Sequence, residues 1–167
     1  VKELMADLTK ILQDADFWAG GPEVSYDAEK FLTENSEFKG VMVGEGEETF
    51  KELAGYYVEK NPQNLKDMTG ICYRDGDQIT HNGWRQIMNL SSIPFIYKDL
   101  SEFKNRIIYY ESSRGCPFSC SYCLSSIDKK LRFRNTELVK KELQFFIDKK
   151  VPQVKFVDRT FNCNHTH

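Results

Sequence analysis

Three cysteines within eight residues constrain this chain more than any other feature. The segment reads Cys116-Pro-Phe-Ser-Cys120-Ser-Tyr-Cys123. An apolar strand pattern at 106–110 leads into it, and a helical pattern that ends near Lys149 follows it. The fold must therefore present three thiols on one loop between a strand and a helix.

Three thiolates from one short loop are suited to hold three irons of a [4Fe–4S] cluster, because clusters of this type use cysteine ligands. The fourth iron then lacks a protein ligand and is open to a small molecule, which distinguishes a reactive site from a closed structural one. The alternative is a zinc site completed by Cys163, His165 or His167. Zinc sites usually pair cysteines in two CxxC-like turns, whereas here the first spacing is three residues and no second pair exists. The cluster is the prediction that we favour.

Composition narrows the class of protein. The chain has 167 residues, of which 40% are hydrophobic and 29% charged, so it can build a core. Its formal net charge of −2 gives no electrostatic reason to expect nucleic acid as the main partner. No apolar run is long enough for a transmembrane helix, and no membrane partner is expected. Five cysteines with three clustered do not fit a secreted disulfide framework, which favours the cytoplasm.

The first sixty residues alternate between helix and strand patterns. The apolar residues of 1–15 have helical spacing, and 26–35 and the segment after Glu47 predict two more helices. We expect Ser25 to cap the second helix, and these side chains of the third to face inward: Phe50, Leu53, Ala54 and Tyr57. Short strands at 16–19 and 40–43 each end in a glycine turn. This order predicts a parallel α/β sheet whose ligands bind beyond the carboxyl ends of the strands.

The rest of the chain predicts a hairpin and then a strand–helix–strand unit. Asp75-Gly76-Asp77 is a hairpin turn signal, and 84–106 has little periodicity. Asn135 or Thr136 is suited to cap the later helix, and 154–157 predicts a further strand. We expect the buried side of that helix to hold Leu138, Val139, Leu143, Phe146 and Ile147. The predicted domains are 1–62, a linker with the hairpin at 63–105, and 106–167. Because the chain starts at Val1 and stops just after a strand, we expect a piece of a longer protein.

The cysteine spacing, with Tyr122 directly before the last cysteine, resembles the signature of the radical S-adenosylmethionine (SAM) superfamily. Arg114-Gly115 before the first cysteine also matches members, and Gly115 would need a positive φ angle. The resemblance implies that Cys116, Cys120 and Cys123 ligate the cluster and that SAM binds its open iron. It also implies Tyr122 near the SAM adenine, an electron donor such as flavodoxin or ferredoxin, and formation of a 5′-deoxyadenosyl radical. Tyr122 packed in a core is the alternative.

The amino-terminal part resembles the cobalamin-binding module of B12-binding radical SAM enzymes. The matching segments are Ala19-Gly20-Gly21-Pro22 and Val43-Gly44-Glu45-Gly46-Glu47. The resemblance implies cobalamin as a further cofactor, with Gly20 and Gly21, and more loosely Gly44, Glu45 and Gly46, beside its nucleotide tail. Ordinary tight turns are the alternative for each glycine. The implied fold is α/β: the C-terminal half of a Rossmann-like (flavodoxin-like) sheet, a hairpin linker, and the first βαβ unit of a partial TIM-type barrel.

Several other residues have two interpretations. Asp158, Thr160 and Asn162 follow the last predicted strand, where they would contact SAM or substrate or else cap a helix. Arg132 and Arg134 either pair with carboxylates or stay solvated. Cys72 on the hairpin fits packing better than chemistry.

The family resemblance implies an oxygen-sensitive, anaerobic enzyme that methylates, cyclises or otherwise functionalises a C–H bond of a small-molecule substrate. Anaerobic magnesium-protoporphyrin IX monomethyl ester cyclases share this domain order. A tRNA methylthiotransferase and a non-catalytic zinc-binding module are the two alternatives. We expect residues 1–167 alone to be inactive, because two barrel strands cannot enclose a radical.

Overall fold

The structure is a computed structural model that describes residues 2–58, 64–124 and 131–163. The chain divides into two compact units, Val1–Ile87 and Met88–His167. Both combine helices with strands, which confirms the predicted α/β class. Within the described ranges, no helix is long and apolar enough to cross a membrane.

The first unit has a four-stranded sheet in the order β1-β2-β3-β4. Its strands and helices are β1 (Phe17–Gly20), β2 (Phe38–Met42), β3 (Ile71–Asp75), β4 (Gln78–His81), α1 (Lys2–Ile11), α2 (Pro22–Ser25), α3 (Ala28–Glu34) and α4 (Glu47–Val58). Strands β1 and β2 are parallel, as predicted, and β2 and β3 are antiparallel. The predicted hairpin is present as β3 and β4, and it extends this sheet. Main-chain pairing between β2 and β3 is the physical reason, and sequence periodicity does not reveal such pairing.

The core of the first unit differs in part from the predicted helix faces. Val41, Ile71 and Leu53 are buried as apolar strand and helix residues should be. Phe50 and Tyr57 of α4, predicted to face inward, are 61% and 42% exposed. Three apolar residues of the helical pattern near the start of the chain are exposed as well: Leu4, Ile11 and Leu12. Helical spacing of apolar residues predicts which face of a helix is apolar, but the neighbouring elements determine how much of that face is buried.

The second unit contains a parallel βαβ arrangement. Strand β5 (Ile108–Tyr110) pairs in parallel with β8 (Val154–Phe156), and helix α5 (Thr136–Asp148) connects them along the chain. Asn135 caps α5, because its side chain accepts hydrogen bonds from the backbone N–H groups of the next residues, Glu137 and Leu138. The predicted strand–helix–strand order is confirmed.

A second pair of short strands was not predicted. Strand β6 (Ser113–Arg114) pairs antiparallel with β7 (Arg132–Phe133). Strand β6 ends two residues before Cys116, and β7 lies between the cysteines and α5, so the ladder brackets the segment with the three cysteines.

Aromatic and aliphatic packing surrounds α5. Phe146 is buried between β5 and the segment predicted to be only a connection, which contributes Phe95, Tyr97, Leu100 and Phe103. Ile147, predicted on the buried side, is 68% exposed, whereas Glu142 is buried. The buried face is therefore rotated relative to the predicted face, because a charged network takes the place of an apolar side chain.

That network joins Arg134, Glu142 and Tyr110. The Arg134 guanidinium donates two hydrogen bonds to the Glu142 carboxylate, at 2.9 and 2.6 Å, and the Tyr110 hydroxyl donates to it at 2.6 Å. Arg134 also donates to the carbonyl oxygens of Leu90 and Ile93. Of the two predicted states of Arg134, the ion pair is confirmed and the solvated state is wrong. Burial and the nearby carboxylate raise the pKa of Tyr110, so the phenol stays protonated and donates.

Candidate functional site

The loop of the three cysteines follows β6 at the end of the parallel pair. Gly115 has φ +99°, the left-handed conformation predicted for it. Cys120 is exposed, and Cys116 and Cys123 are half-buried. The Cys123 N–H donates to the Cys120 carbonyl at 3.2 Å, which closes a turn between the last two cysteines. In the described part of the chain, no three or more Cys, His, Asp or Glu side chains are already assembled as a metal site.

The base of this loop is held by Asp158, which follows β8. Its carboxylate accepts from the backbone N–H groups of Ser112 at 2.8 Å and Ser113 at 3.1 Å, and also from the Ser112 hydroxyl. Both serines are buried. The interpretation of Asp158 as a helix cap is therefore wrong: its carboxylate serves as an anchor for the start of the cysteine loop.

Two further contacts involve residues around the first cysteine. The Thr160 hydroxyl lies 3.4 Å from Cys116 Sγ, within donor distance of a sulfur acceptor. Arg114 forms a two-point ion pair with Glu111, with N···O distances of 2.9 and 2.6 Å. Asn162, the third candidate after β8, has φ +57°. These contacts order the two residues on either side of Gly115.

Tyr122 is 91% exposed, so the alternative that it packs in a core is wrong. Among the described residues little packs against its ring, which leaves an aromatic face open to a planar ligand. A position beside the SAM adenine stays a prediction that this exposure fits.

The donor chemistry of the loop fits an iron–sulfur cluster. None of the five cysteines is in a disulfide bond. Burial, with a smaller contribution from the charge of Glu29, raises the pKa of Cys72 to about 11. Because only thiolates bind metal, Cys72 is unsuited as a ligand, and its interpretation as a packing residue agrees with its burial in the core. Cys163 is half-buried, and His165 and His167 of the zinc alternative lie outside the described residues.

The two predicted glycine turns belong to the first unit, where they follow β1 and β2. Gly21 has φ +99°, and a Cβ added to it would meet no heavy atom within 4 Å. Gly46 is equally open, whereas a Cβ on Gly44 would lie 3.2 Å from the Trp84 ring. Open space above Gly21 and Gly46 lets a ligand approach their backbone, which a flat nucleotide tail requires.

Ser25 connects these two turns. Its buried hydroxyl donates to the Gly21 carbonyl at 2.8 Å and accepts from the Gly44 N–H at 3.2 Å. The prediction that Ser25 caps a helix beginning at Tyr26 is wrong. The next helix begins at Ala28 after Asp27, and Ser25 ends α2. The structure thus brings Gly20–Gly21 and Gly44 together through one side chain.

The sequence analysis missed Ser25 as a bridge and Glu111 as a partner of Arg114. Glu111 had a local signal, since opposite charges three residues apart often pair. Ser25 had none, because its partner Gly44 is nineteen residues away along the chain.

A βαβ unit that carries three cysteines on one loop, and a sheet with two open glycine turns, agree with the predicted resemblance to B12-binding-domain radical SAM enzymes, and so do the proteins to which this chain is similar. It is 32% identical over 155 residues to an uncharacterized methyltransferase of Pyrococcus horikoshii, an alignment that covers 87% of this chain and 33% of that protein. It is 28% identical over 116 residues to the anaerobic magnesium-protoporphyrin IX monomethyl ester cyclase of Cereibacter sphaeroides, covering 62% of this chain and 18% of that protein. No protein-family model matches the chain.

Solved structures show the same fold. The cobalamin-dependent SAM radical enzyme OxsB, with aqua-cobalamin and SAM bound, matches with a TM-score of 0.71 and 21% identity over 95% of this chain and 24% of its own. The radical SAM methyltransferase TsrM of Kitasatospora setae, with tryptophan substrate and a SAM analog bound, matches with a TM-score of 0.66 and 17% identity over 97% of this chain and 33% of its own. A second TsrM structure contains cobalamin and a [4Fe–4S] cluster. The chain spans a third or less of the curated relatives it matches.

Proposed function

We propose that this chain is part of a radical SAM enzyme in which Cys116, Cys120 and Cys123 ligate a [4Fe–4S] cluster. The observation that carries the proposal is the placement of three cysteines, none of them in a disulfide, on one loop whose base Asp158 anchors to the end of β8. The chemistry that such a cluster supplies when bound is one-electron reduction of SAM, with cleavage of a C–S bond. The protein's part is to leave one iron without a side-chain ligand, which three cysteines achieve and four would not.

The residues around the loop have separate tasks in this proposal. Tyr122, exposed on the loop, offers its ring to the adenine of SAM. Asp158 and the β6–β7 ladder hold the two ends of the loop, so that the thiols need only turn inward when metal arrives. Metal binding that completes a partly formed site is common, because ligands converge on the ion that they share.

We further propose that the first unit is the end of a Rossmann-like B12-binding module and that β5, α5 and β8 begin a partial β/α barrel. The open backbone at Gly21 and Gly46 supports a cobalamin tail there, with Gly20, Gly44 and Glu45 beside it. The sheet that includes the hairpin supports a boundary near residue 87.

Methyl transfer to a small molecule is the reaction that we favour. The relative aligned over 87% of the chain is named a methyltransferase, and TsrM is one as well. Oxidative cyclisation is the second candidate, supported by cyclases that match at 28% and 26% identity. Flavodoxin or ferredoxin is the proposed electron donor in either case, and the proposed location is the cytoplasm.

Anaerobic reconstitution of the full-length protein tests the cluster. We expect iron and sulfide in equal amounts, a visible absorption band, and loss of both in Cys120→Ala. The matched control is Cys163→Ala, which removes another cysteine of the same unit from outside the loop and should keep the cluster. Zinc without iron in the wild-type protein would refute the proposal and favour the zinc module.

Cobalamin binding is tested by one pair of glycine variants. Gly21→Ala places a methyl group in the proposed path of the nucleotide tail, at φ +99°. Gly76→Ala also adds a methyl group at a positive φ, +63°, where alanine is less strained than at position 21; it is in the hairpin turn, away from both glycine turns, and meets no atom within 4 Å. Urea unfolding of both variants measures the strain separately. Bound cobalamin, measured by its absorbance after gel filtration, should fall at least tenfold in Gly21→Ala and stay unchanged in Gly76→Ala. An equal loss in both variants would mean that strain, rather than contact, is responsible.

A further inference from the structure

A side chain outside the cysteine loop contacts one of its sulfur atoms. The Thr160 Oγ1 atom lies 3.4 Å from Cys116 Sγ, and both residues are half-buried. A thiolate has no proton to donate, so in that state the hydroxyl is the donor and the sulfur the acceptor.

The contact follows from the way in which the strands end. Tyr110 of β5 and Phe156 of β8 are opposite each other, and the Val157 N–H donates to the Tyr110 carbonyl at 3.0 Å. Just beyond, Asp158 binds the backbone of the buried Ser112 and Ser113. The Val157–Tyr110 hydrogen bond and the Asp158 hydrogen bonds therefore hold the segment after β8 against the segment after β5. This pairing places Thr160 beside Cys116.

We infer that Thr160 donates a hydrogen bond to the Cys116 thiolate of the loaded cluster and raises the cluster's reduction potential. The inference rests on the proposed function, because it requires Cys116 to be a ligand. Reduction adds one electron to the cluster and forms or breaks no bond. A donor to a ligand sulfur stabilises the more negative, reduced state more than the oxidised one, and hydrogen bonds to sulfur are among the known determinants of cluster potentials.

Three substitutions in the full-length, reconstituted protein separate the hydroxyl from the shape of the side chain. Thr160→Val removes the hydroxyl at nearly constant volume, Thr160→Ala removes it without added bulk, and Thr160→Ser retains it. The measurement is the midpoint potential, from a dithionite titration followed by the electron paramagnetic resonance signal of the reduced cluster. The iron content of each sample is measured in parallel.

We expect the valine and alanine variants to be reduced about tenfold less favourably, which is ~59 mV toward more negative potential for one electron. The serine variant should keep the wild-type potential. An unchanged potential in the valine and alanine variants would overturn the inference. So would an equal shift in all three variants, or an equal loss of iron from all three, because either would assign the effect to side-chain shape.

Failure of the proposed function gives a different result. In that case the wild-type protein itself binds no iron and sulfide. If the wild-type protein binds the cluster and loss of the Thr160 hydroxyl leaves the midpoint potential unchanged, only the role of Thr160 is refuted.

Discussion

Replacement of Glu142 by alanine is the sharpest test of the energetics of the second unit. The side chains of Arg134 and Glu142 are only 7% and 8% exposed, and they meet through two hydrogen bonds. Glu142→Ala leaves the guanidinium charge buried with two backbone carbonyls as its remaining partners. It also removes the acceptor of the Tyr110 hydroxyl.

The expected cost follows from these contacts. Removal of one partner of a buried ion pair costs about 3–5 kcal/mol. Arg134 keeps its hydrogen bonds to two backbone carbonyls, so we expect a cost near the lower limit of this range. Loss of the hydrogen bond from the Tyr110 hydroxyl adds about 1 kcal/mol. We therefore expect the free energy of unfolding of this unit to fall by about 4 kcal/mol, which is between two and three orders of magnitude in the unfolding equilibrium.

The assay must report on the second unit itself. Both tryptophans, Trp18 and Trp84, are in the first unit, so tryptophan fluorescence does not follow α5. Hydrogen exchange measured by mass spectrometry on a peptide from α5 does. Its slowest amides should exchange several hundredfold faster in Glu142→Ala than in the wild-type protein.

The same helix offers a matched control. Glu137 pairs with Lys140 at 2.9 Å, but these side chains are 79% and 67% exposed. Glu137→Ala should change the free energy by no more than about 0.5 kcal/mol. A double variant, Arg134→Met with Glu142→Leu, should recover most of the loss, because an apolar pair leaves no charge unpaired. Equal effects of the two glutamate variants would refute the reasoning.

Two further predictions concern the first unit. Gly40→Ala places a Cβ in steric overlap with the Trp18 ring, so we expect the free energy of unfolding to fall by about 1–3 kcal/mol, measured by urea unfolding followed by tryptophan fluorescence. The control Gly55→Ala, in α4 with no atom within 4 Å, should instead stabilise by about 0.5–1 kcal/mol, and destabilisation by both would contradict this. Burial raises the pKa of Cys72 from 9.0 to about 11, so its neutral thiol stabilises the fold fully below pH 9 and this contribution is lost as pH rises toward 11. The free energy of unfolding of the wild-type protein should therefore fall more steeply than that of Cys72→Ala across this interval, and parallel slopes would contradict the assignment.

Local chemistry was enough to predict several elements. Asn135 caps α5 because its short side chain reaches the next backbone N–H groups, an interaction contained within four residues. Gly76 and Gly115 have the positive φ angles that their turns require. The cysteine spacing, too, is a property of one short segment, and it indicated the family before the fold was known.

Contacts between distant residues could not be predicted in the same way. Ser25 looked like a cap because it precedes a helical pattern, yet its hydroxyl bridges two turns. Phe50 looked inward because its spacing is helical, yet nothing covers much of its ring in the described part of the chain. Arg134 had a local suggestion of pairing, but the carbonyls of Leu90 and Ile93 became its partners only when a segment without periodicity packed against α5. These contacts depend on how distant segments pack together, and the hydrophobic periodicity of one segment does not predict such packing.

The parallel pairing of β5 and β8 connects the fold to its proposed chemistry. Parallel strands end at the same edge of a sheet, and ligands of such sheets bind there. The cysteine loop leaves one strand at that edge, and Asp158 and Thr160 leave the other. Because Asp158 binds backbone amides rather than thiols, the base of the loop is held by the protein alone. The hydroxyl of Thr160 contacts the sulfur of Cys116. In the proposed site, anchoring and ligation would therefore fall to different atoms, so that one strand end orders the loop without occupying the sulfur atoms proposed as ligands.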